Sequence, residues 1–190
     1  MNKIQIIVNN GAGTGSAVAV WKETKEYLQE NGISYNAYLT RYEKHAVKLA
    51  GQICGKIPEG PIYLLVVGGD GTINEVLNGI TDFDRVRLGV IPTGSGNDFA
   101  RNLGILRNTR EDLREITACI GQEQNGEKLQ RIDLGKVSWE GCEKPRIFGI
   151  SAGAGLDAIV CKKALHSKLK KILNRFHLGK LTYLMLTVQT

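Results

Sequence analysis

The sequence predicts an α/β protein: a doubly wound, mostly parallel sheet followed by the start of a β-rich second domain. Three observations lead to this class. Short apolar runs of strand length alternate with helical patterns as far as Gly121. Glycine-rich strings follow the strands and open the helices. Beyond Gly121 the alternation stops, and two strand-like runs succeed one another with no helix between them.

Taken in order, residues 3–8 read as the first strand, 9–15 as a loop and 16–30 as a helix. A second strand covers residues 33–39 and a second helix residues 43–54. The apolar run 62–67 is a buried strand, with a helix beginning near Thr72. Residues 88–91 form a short apolar strand and 97–103 a helix. In residues 109–120, Leu113, Ile116, Thr117 and Ile120 share one helical face. Strands alternating with helices at this spacing imply a mostly parallel sheet with helices on both faces. Ligands of such sheets bind at the carboxyl ends of the strands. The loops 9–15, 40–41, 68–72 and 92–96 all lie at that edge, which is the predicted active face. Residues 122–128 are polar, and 129–139 and 146–151 look like successive strands. The expected division is residues 1–124 and 125–190.

Composition narrows the class. The 190 residues, 42% of them hydrophobic, can bury one α/β domain and part of another. Cys54, Cys119, Cys142 and Cys161 are scattered, and His45, His166 and His177 are isolated, so neither a disulfide scaffold nor a zinc site is expected. The amino terminus runs directly into a strand, and no apolar run reaches membrane-spanning length; a cytoplasmic protein is expected. The net charge of +6 is concentrated. Lys162, Lys163, Lys168, Lys170, Lys171, Arg175 and Lys180 stand in a segment without a single acid, and the rest of the chain is close to neutral. A broad nucleic-acid surface does not fit that distribution, and no nucleic-acid partner is expected.

Two strings carry the chemistry. In Gly68-Gly69-Asp70-Gly71-Thr72-Ile73-Asn74-Glu75 the glycines let backbone approach a ligand closely, and the helix start favours an anion. Asp70 repels phosphate directly, so it fits where Mg²⁺ or a substrate hydroxyl lies between them, as phosphoryl transfer requires. The plain alternative is a tight turn with a capping acid. In the second string, Pro92-Thr93-Gly94-Ser95-Gly96-Asn97-Asp98-Phe99-Ala100-Arg101, Gly94 and Gly96 flank a hydroxyl, and Asn97 or Asp98 can cap the next helix.

With both strings in place, the sequence resembles the diacylglycerol kinase catalytic family, the lipid kinases that include the sphingosine kinases, and its bacterial soluble members in particular. The likeness continues through Arg131-Ile132-Asp133-Leu134-Gly135 and through 148–158. It implies an NAD kinase/phosphofructokinase-like first domain, a β-sandwich second domain and nucleotide in the cleft between them. It also implies transfer of the ATP γ-phosphoryl group to the hydroxyl of diacylglycerol or a related membrane lipid, with Mg²⁺. The family's metal-binding loop and its late Asp-Gly-Glu-like string with the general base are expected beyond residue 190, so the chain reads as a truncated form, inactive by itself.

The first loop, Asn9-Asn10-Gly11-Ala12-Gly13-Thr14-Gly15-Ser16, fails as a dinucleotide fingerprint, because Ser16 stands where Gly or Ala is needed. It fails as a Walker loop for want of a Lys before Ser16. What remains is an amide-rich loop suited to ATP phosphates, or a plain turn. The family usually has Asn-Pro at positions 9 and 10; this chain has Asn10.

The resemblance places Asn9, Asn10, Gly11, Ala12, Gly13, Thr40, residues 68–75, Thr93 and Ser95 at the nucleotide. Asp70 becomes the catalytic and metal-binding acid, and Asn97, Asp98, Arg101 and Asp157 face substrate. Simpler roles stay open: an N-cap for Thr40, a cap or surface position for Glu75, a turn acid for Asp157. In the basic segment Leu165, Leu169, Ile172, Leu173 and Phe176 share one helical face. Such a helix either lies on an anionic bilayer, peripheral to the membrane, or packs on a core with its basic face solvated. NAD kinase, which shares the Gly-Gly-Asp-Gly turn, and a non-catalytic nucleotide- or lipid-binding regulator are the alternatives. A homodimer is compatible with each.

Overall fold

The structure is a computed structural model that describes residues 3–9, 11, 16–105, 108–122, 129–155 and 158–159. Asn10, Ala12, Gly13, Asp157 and the basic segment 162–180 lie outside the described residues.

Four strands form one parallel sheet: β1 (Ile4–Val8), β2 (Tyr35–Leu39), β3 (Ile62–Gly68) and β4 (Val86–Pro92), in the spatial order β2-β1-β3-β4. The helices are α1 (Ser16–Glu30), α2 (His45–Lys56), α3 (Asp70–Leu77), α4 (Asp98–Asn102) and α5 (Thr109–Gln122). The expected doubly wound α/β architecture is present.

Successive strand residues face opposite sides of a sheet, so a strand buried on both sides reads as an unbroken apolar run. β3 shows this directly. Ile62, Leu64 and Val66 pack with Ile7 and Val90 under α2, α3 and α4, where Ala46, Ile53, Ile73, Val76 and Phe99 meet them. Leu65 and Val67 pack with Ile4, Ile6, Val8 and Ile91 on the other face, under Trp21, Leu28 and Leu113 of α1 and α5. Full burial of each such side chain contributes about 1.5–3 kcal/mol. In α1 the buried positions Ala17, Trp21, Thr24 and Leu28 form one stripe at helical spacing.

Where boundaries differ from expectation, the backbone gives the reason. β2 starts at Tyr35 rather than at residue 33, because Ile33 N–H closes the end of α1 on the Leu28 carbonyl, past Gly32 at φ 63°. α3 starts at Asp70, ahead of Thr72, because Thr72 and Ile73 already donate to the Gly69 carbonyl. Of the two later strand-like runs, only β5 (Gly135–Val137) and β6 (Arg146–Phe148) pair, antiparallel. The Phe148 ring covers its cross-strand partner Gly135, where a Cβ would lie 2.2 Å from Phe148 Cζ.

The chain divides into two compact units, Met1–Ile150 and Ser151–Thr190. The hairpin β5–β6 belongs to the first. In the second, Ile159 N–H donates to the Gly155 carbonyl at 3.1 Å. Among the described residues no helix is long and apolar enough to cross a membrane.

Candidate active site

In the order β2-β1-β3-β4, the connections from β1 and β3 leave toward opposite faces, so the switch point lies between those two strands. The loops at the carboxyl ends of β1 and β3 are therefore the expected ligand edge. Pairing carries one residue past each strand end. Thr40 N–H reaches the Val8 carbonyl at 2.9 Å, Asn9 N–H reaches Val67 at 2.9 Å, and Thr93 N–H reaches Gly68 at 3.1 Å. These bonds line up Thr40, Asn9, Gly69 and Thr93 along one rim.

The two glycine strings touch. A Cβ on Gly69 would lie 3.1 Å from Gly94 Cα, and one on Gly94 would lie 3.0 Å from Gly69 Cα. Gly69 has φ −94°, open to any residue, so space rather than conformation demands glycine here. A Cβ on Gly68 would sit 2.7 Å from Thr72 Cβ. Gly71 has nothing within 4 Å and is exposed, so a ligand can approach the backbone at that point.

Polar side chains of both strings are engaged by backbone. Asp70 accepts Asp98 N–H through Oδ2 and Phe99 N–H through Oδ1, each at 3.1 Å. It thereby caps α4, whose own N-cap Asn97 makes no side-chain capping bond. That differs from the expectation that Asn97 or Asp98 caps this helix. The reason is that Asn97, in the left-handed region at φ 54°, turns its amide back: Oδ1 accepts Gly94 N–H at 2.9 Å and Nδ2 donates to Gly94 O at 2.8 Å. Arg101 binds Asp98 Oδ1 at 2.6 Å and the Gly96 carbonyl at 2.8 Å, which fixes the loop end. Glu75 caps α2 in the same manner as Asp70 caps α4, accepting Lys44 N–H at 3.0 Å and Ala46 N–H at 3.2 Å. Thr40 does not cap α2, which begins five residues later at His45.

Asn9 bridges the switch point by donating to Thr72 Oγ1 at 2.8 Å, while its Oδ1 takes Gly11 N–H at 3.1 Å. Ile73 is in the core, and Asn74 turns to β6. Ser95 is exposed at the loop tip. Thr93 is buried, and its Oγ1 is the one buried side-chain polar atom among the described residues without a hydrogen-bond partner. Beside Thr40, an open hollow of about 760 Å³ is lined by Ala37, Tyr38, Leu39, Arg41, His45 and Leu49. Tyr42 stacks on His45 with ring centres 4.4 Å apart, and Arg41 N–H donates to His45 Nδ1 at 3.1 Å.

For Mg²⁺ the hard oxygen donors are Asp70 and Asp98. A Cβ on Gly96 would lie 3.2 Å from Asp70 Oδ2 and 3.7 Å from Asp98 Oδ2, so one glycine separates the two carboxylates. Mg²⁺ keeps several waters and needs only one or two carboxylates beside substrate phosphates. Both Asp70 oxygens already accept α4 amides and Asp98 Oδ1 is held by Arg101, which leaves Asp98 Oδ2 as the oxygen of the pair outside these bonds. Among the described residues no group of three or more His, Cys, Asp or Glu converges. The sequence offered capping as the plain role of both Asp70 and Glu75, without showing that the helices they cap are α4 and α2; it gave no sign of Asn78, whose amide bonds β6.

The family model described as Diacylglycerol kinase catalytic domain matches residues 3–137. The chain is 36% identical over 144 residues to a diacylglycerol kinase of Bacillus subtilis, covering 73% of this chain and 41% of that one. It is 32% identical over 150 residues to a diacylglycerol kinase of Staphylococcus saprophyticus, covering 78% and 43%. A solved diacylglycerol kinase structure from Bacillus anthracis superposes with TM-score 0.51 at 29% identity, over 61% of this chain and 39% of that chain. The chain spans about half the length of the curated relatives it matches. On the match over residues 3–137, the chain belongs to the diacylglycerol kinase catalytic domain family.

Proposed function

We propose that this chain carries the nucleotide side of an ATP-dependent lipid kinase, which transfers the γ-phosphoryl group to the hydroxyl of diacylglycerol or a related lipid. The observation that carries the reading is the contact of the two glycine strings at the switch point. At that rim the Gly71 backbone is exposed, and the Thr93 hydroxyl is buried without a hydrogen-bond partner. Helix α3 begins at that rim, and its first amides favour an anion.

The residues divide the work. Backbone at 68–72, with Asn9 and Gly11, cradles phosphate, and the Thr93 hydroxyl donates to it or to the ribose. The nucleoside extends over Thr40 into the hollow at the end of β2, whose volume lies within the usual range for a ligand pocket. Asp70, rigidly held by two α4 amides, and Asp98 would hold Mg²⁺. When bound, that ion would neutralise charge on the phosphate oxygens. Asn97 and Arg101 keep the second string closed around Gly94 and Gly96, so both carboxylates stay in place as the lipid hydroxyl approaches. We assign residues 1–124 to the nucleotide-binding domain and 125–190 to the beginning of the lipid-binding domain.

The test is transfer of label from γ-labelled ATP, with diacylglycerol vesicles and NAD offered as rival acceptors to the whole protein. Label is expected in phosphatidic acid. Label in NADP without labelled lipid would overturn the proposal.

A further inference from the structure

Two helices that begin at the glycine strings grip one short stretch, the end of β6 and the residue after it. From the C-cap of α3, Asn78 donates through Nδ2 to the Ile147 carbonyl at 2.8 Å and accepts Ile147 N–H through Oδ1 at 2.9 Å. Its side-chain amide meets Ile147 as a neighbouring strand would, satisfying both backbone groups at once. Asn74, one turn earlier, donates to the same carbonyl at 3.3 Å and accepts Arg146 Nη2 at 3.4 Å. From α4, Phe99 packs on Gly149. A Cβ there would lie 2.6 Å from Phe99 Cε2 and 3.2 Å from Leu77 Cδ1. The Phe99 N–H is itself held by Asp70 Oδ1.

Residues 147–149 therefore clip α3 to α4. The starts of those helices are the two strings that meet at Gly69 and Gly94, so a clip between the helices holds that meeting in register. Asn78 lies eight residues along from Asp70, roughly 12 Å at the helical rise, too far to touch a phosphate bound at the turn. We propose that Asn78 is a positioning residue, which fastens β6 across α3 and α4 so that bound nucleotide and docked β6 stabilise each other. The proposal rests on the lipid kinase reading, which supplies the nucleotide. By linkage, whatever β6 docking adds to nucleotide affinity, nucleotide returns to β6 docking.

The experiment compares wild-type chain with Asn78→Ala and with the near-isosteric Asn78→Asp, which keeps an acceptor but loses the donor to Ile147. Circular dichroism establishes folding; if Asn78→Ala unfolds, Asn78→Asp carries the test. Hydrogen exchange at the Ile147 amide and calorimetric binding of Mg·ADP are the readouts. Saturating Mg·ADP is expected to slow Ile147 exchange in the wild type. Either folded variant is expected to bind Mg·ADP about fivefold or more weakly, the lower range of ordinary coupling between sites. Folded variants that bind Mg·ADP as tightly as wild type overturn the proposal, as does wild-type Ile147 exchange that ignores the nucleotide. A wild-type chain that fails to bind Mg·ADP overturns the lipid kinase reading instead, and that result needs no variant to see.

Discussion

Replacing Asp70 by Ala separates the two roles assigned to this acid. Its carboxylate accepts two amide donors at 3.1 Å, from Asp98 and Phe99, and so caps α4 from outside that helix. Losing an N-cap acid typically costs about 0.5–2 kcal/mol. Bonds to a charged acceptor lie toward the upper part of that range, and partial exposure of Asp70 lowers the figure. A loss of about 1–2 kcal/mol follows, which corresponds to a fall in Tm of roughly 2–8 °C for a domain of this size. Asp70→Asn should lose much of the same, because the amide can place only one acceptor oxygen where two donors point. Urea denaturation followed by the fluorescence of buried Trp21 measures both variants. Kinase activity of the whole protein, measured well below the midpoint, should vanish in both. Unchanged midpoints would refute the capping account, and near wild-type turnover in a folded Asp70→Ala protein would refute the assigned chemistry.

Three further outcomes are expected. Gly79→Ala should destabilise the fold by about 1–3 kcal/mol, since a Cβ there would lie 2.2 Å from the Val47 carbonyl oxygen and force α2 and α3 apart; an unchanged urea midpoint would contradict this. The Arg110 side chain hydrogen-bonds Glu30 and holds its carboxyl below the usual carboxylate range. That lowered value makes the pair's small contribution present above the unfolded carboxylate pKa and lost as pH falls through the folded one. Arg110→Gln should therefore lower the urea midpoint slightly at neutral pH and not in acid, and a gap of equal size in acid would contradict the assignment. Changing Lys168, Lys170, Lys171 and Arg175 to Gln should weaken binding to anionic vesicles strongly at low salt and little at high salt, measured by co-sedimentation; equal loss at both salts would exclude a surface-charge role.

Much of this architecture could be read from the chain. Strands such as residues 62–67 are apolar on both faces, and α1 carries its stripe from Ala17 to Leu28, so pattern alone gives the layers and the succession of elements, though not the spatial order of the strands. The glycine strings were placed at the correct edge because each follows a strand. What the strings do was harder to see. Glycines there suggest conformational freedom, yet Gly69 and Gly94 serve close approach between loops distant in sequence. Asp70 and Glu75 read as acids near helix starts, yet the amides their oxygens meet belong to α4 and to the start of α2, neighbours fixed only by folding. Asn78 carries no signal in the sequence, since its partner Ile147 is far along the chain. The later strands were overestimated, because apolar content does not reveal where pairing stops.

The claim at the centre is that nucleotide phosphates sit at the switch point of the sheet. Titrating Mg·ADP into isotopically labelled chain and following backbone amide resonances tests it most directly. The largest shifts are expected at Asn9, Gly11, Gly69–Thr72, Thr93 and Gly94, with smaller ones at Thr40 and none at the opposite edge, around Ile33 and Arg85. Shifts confined to that opposite edge, or no response at the two glycine strings, would contradict the account.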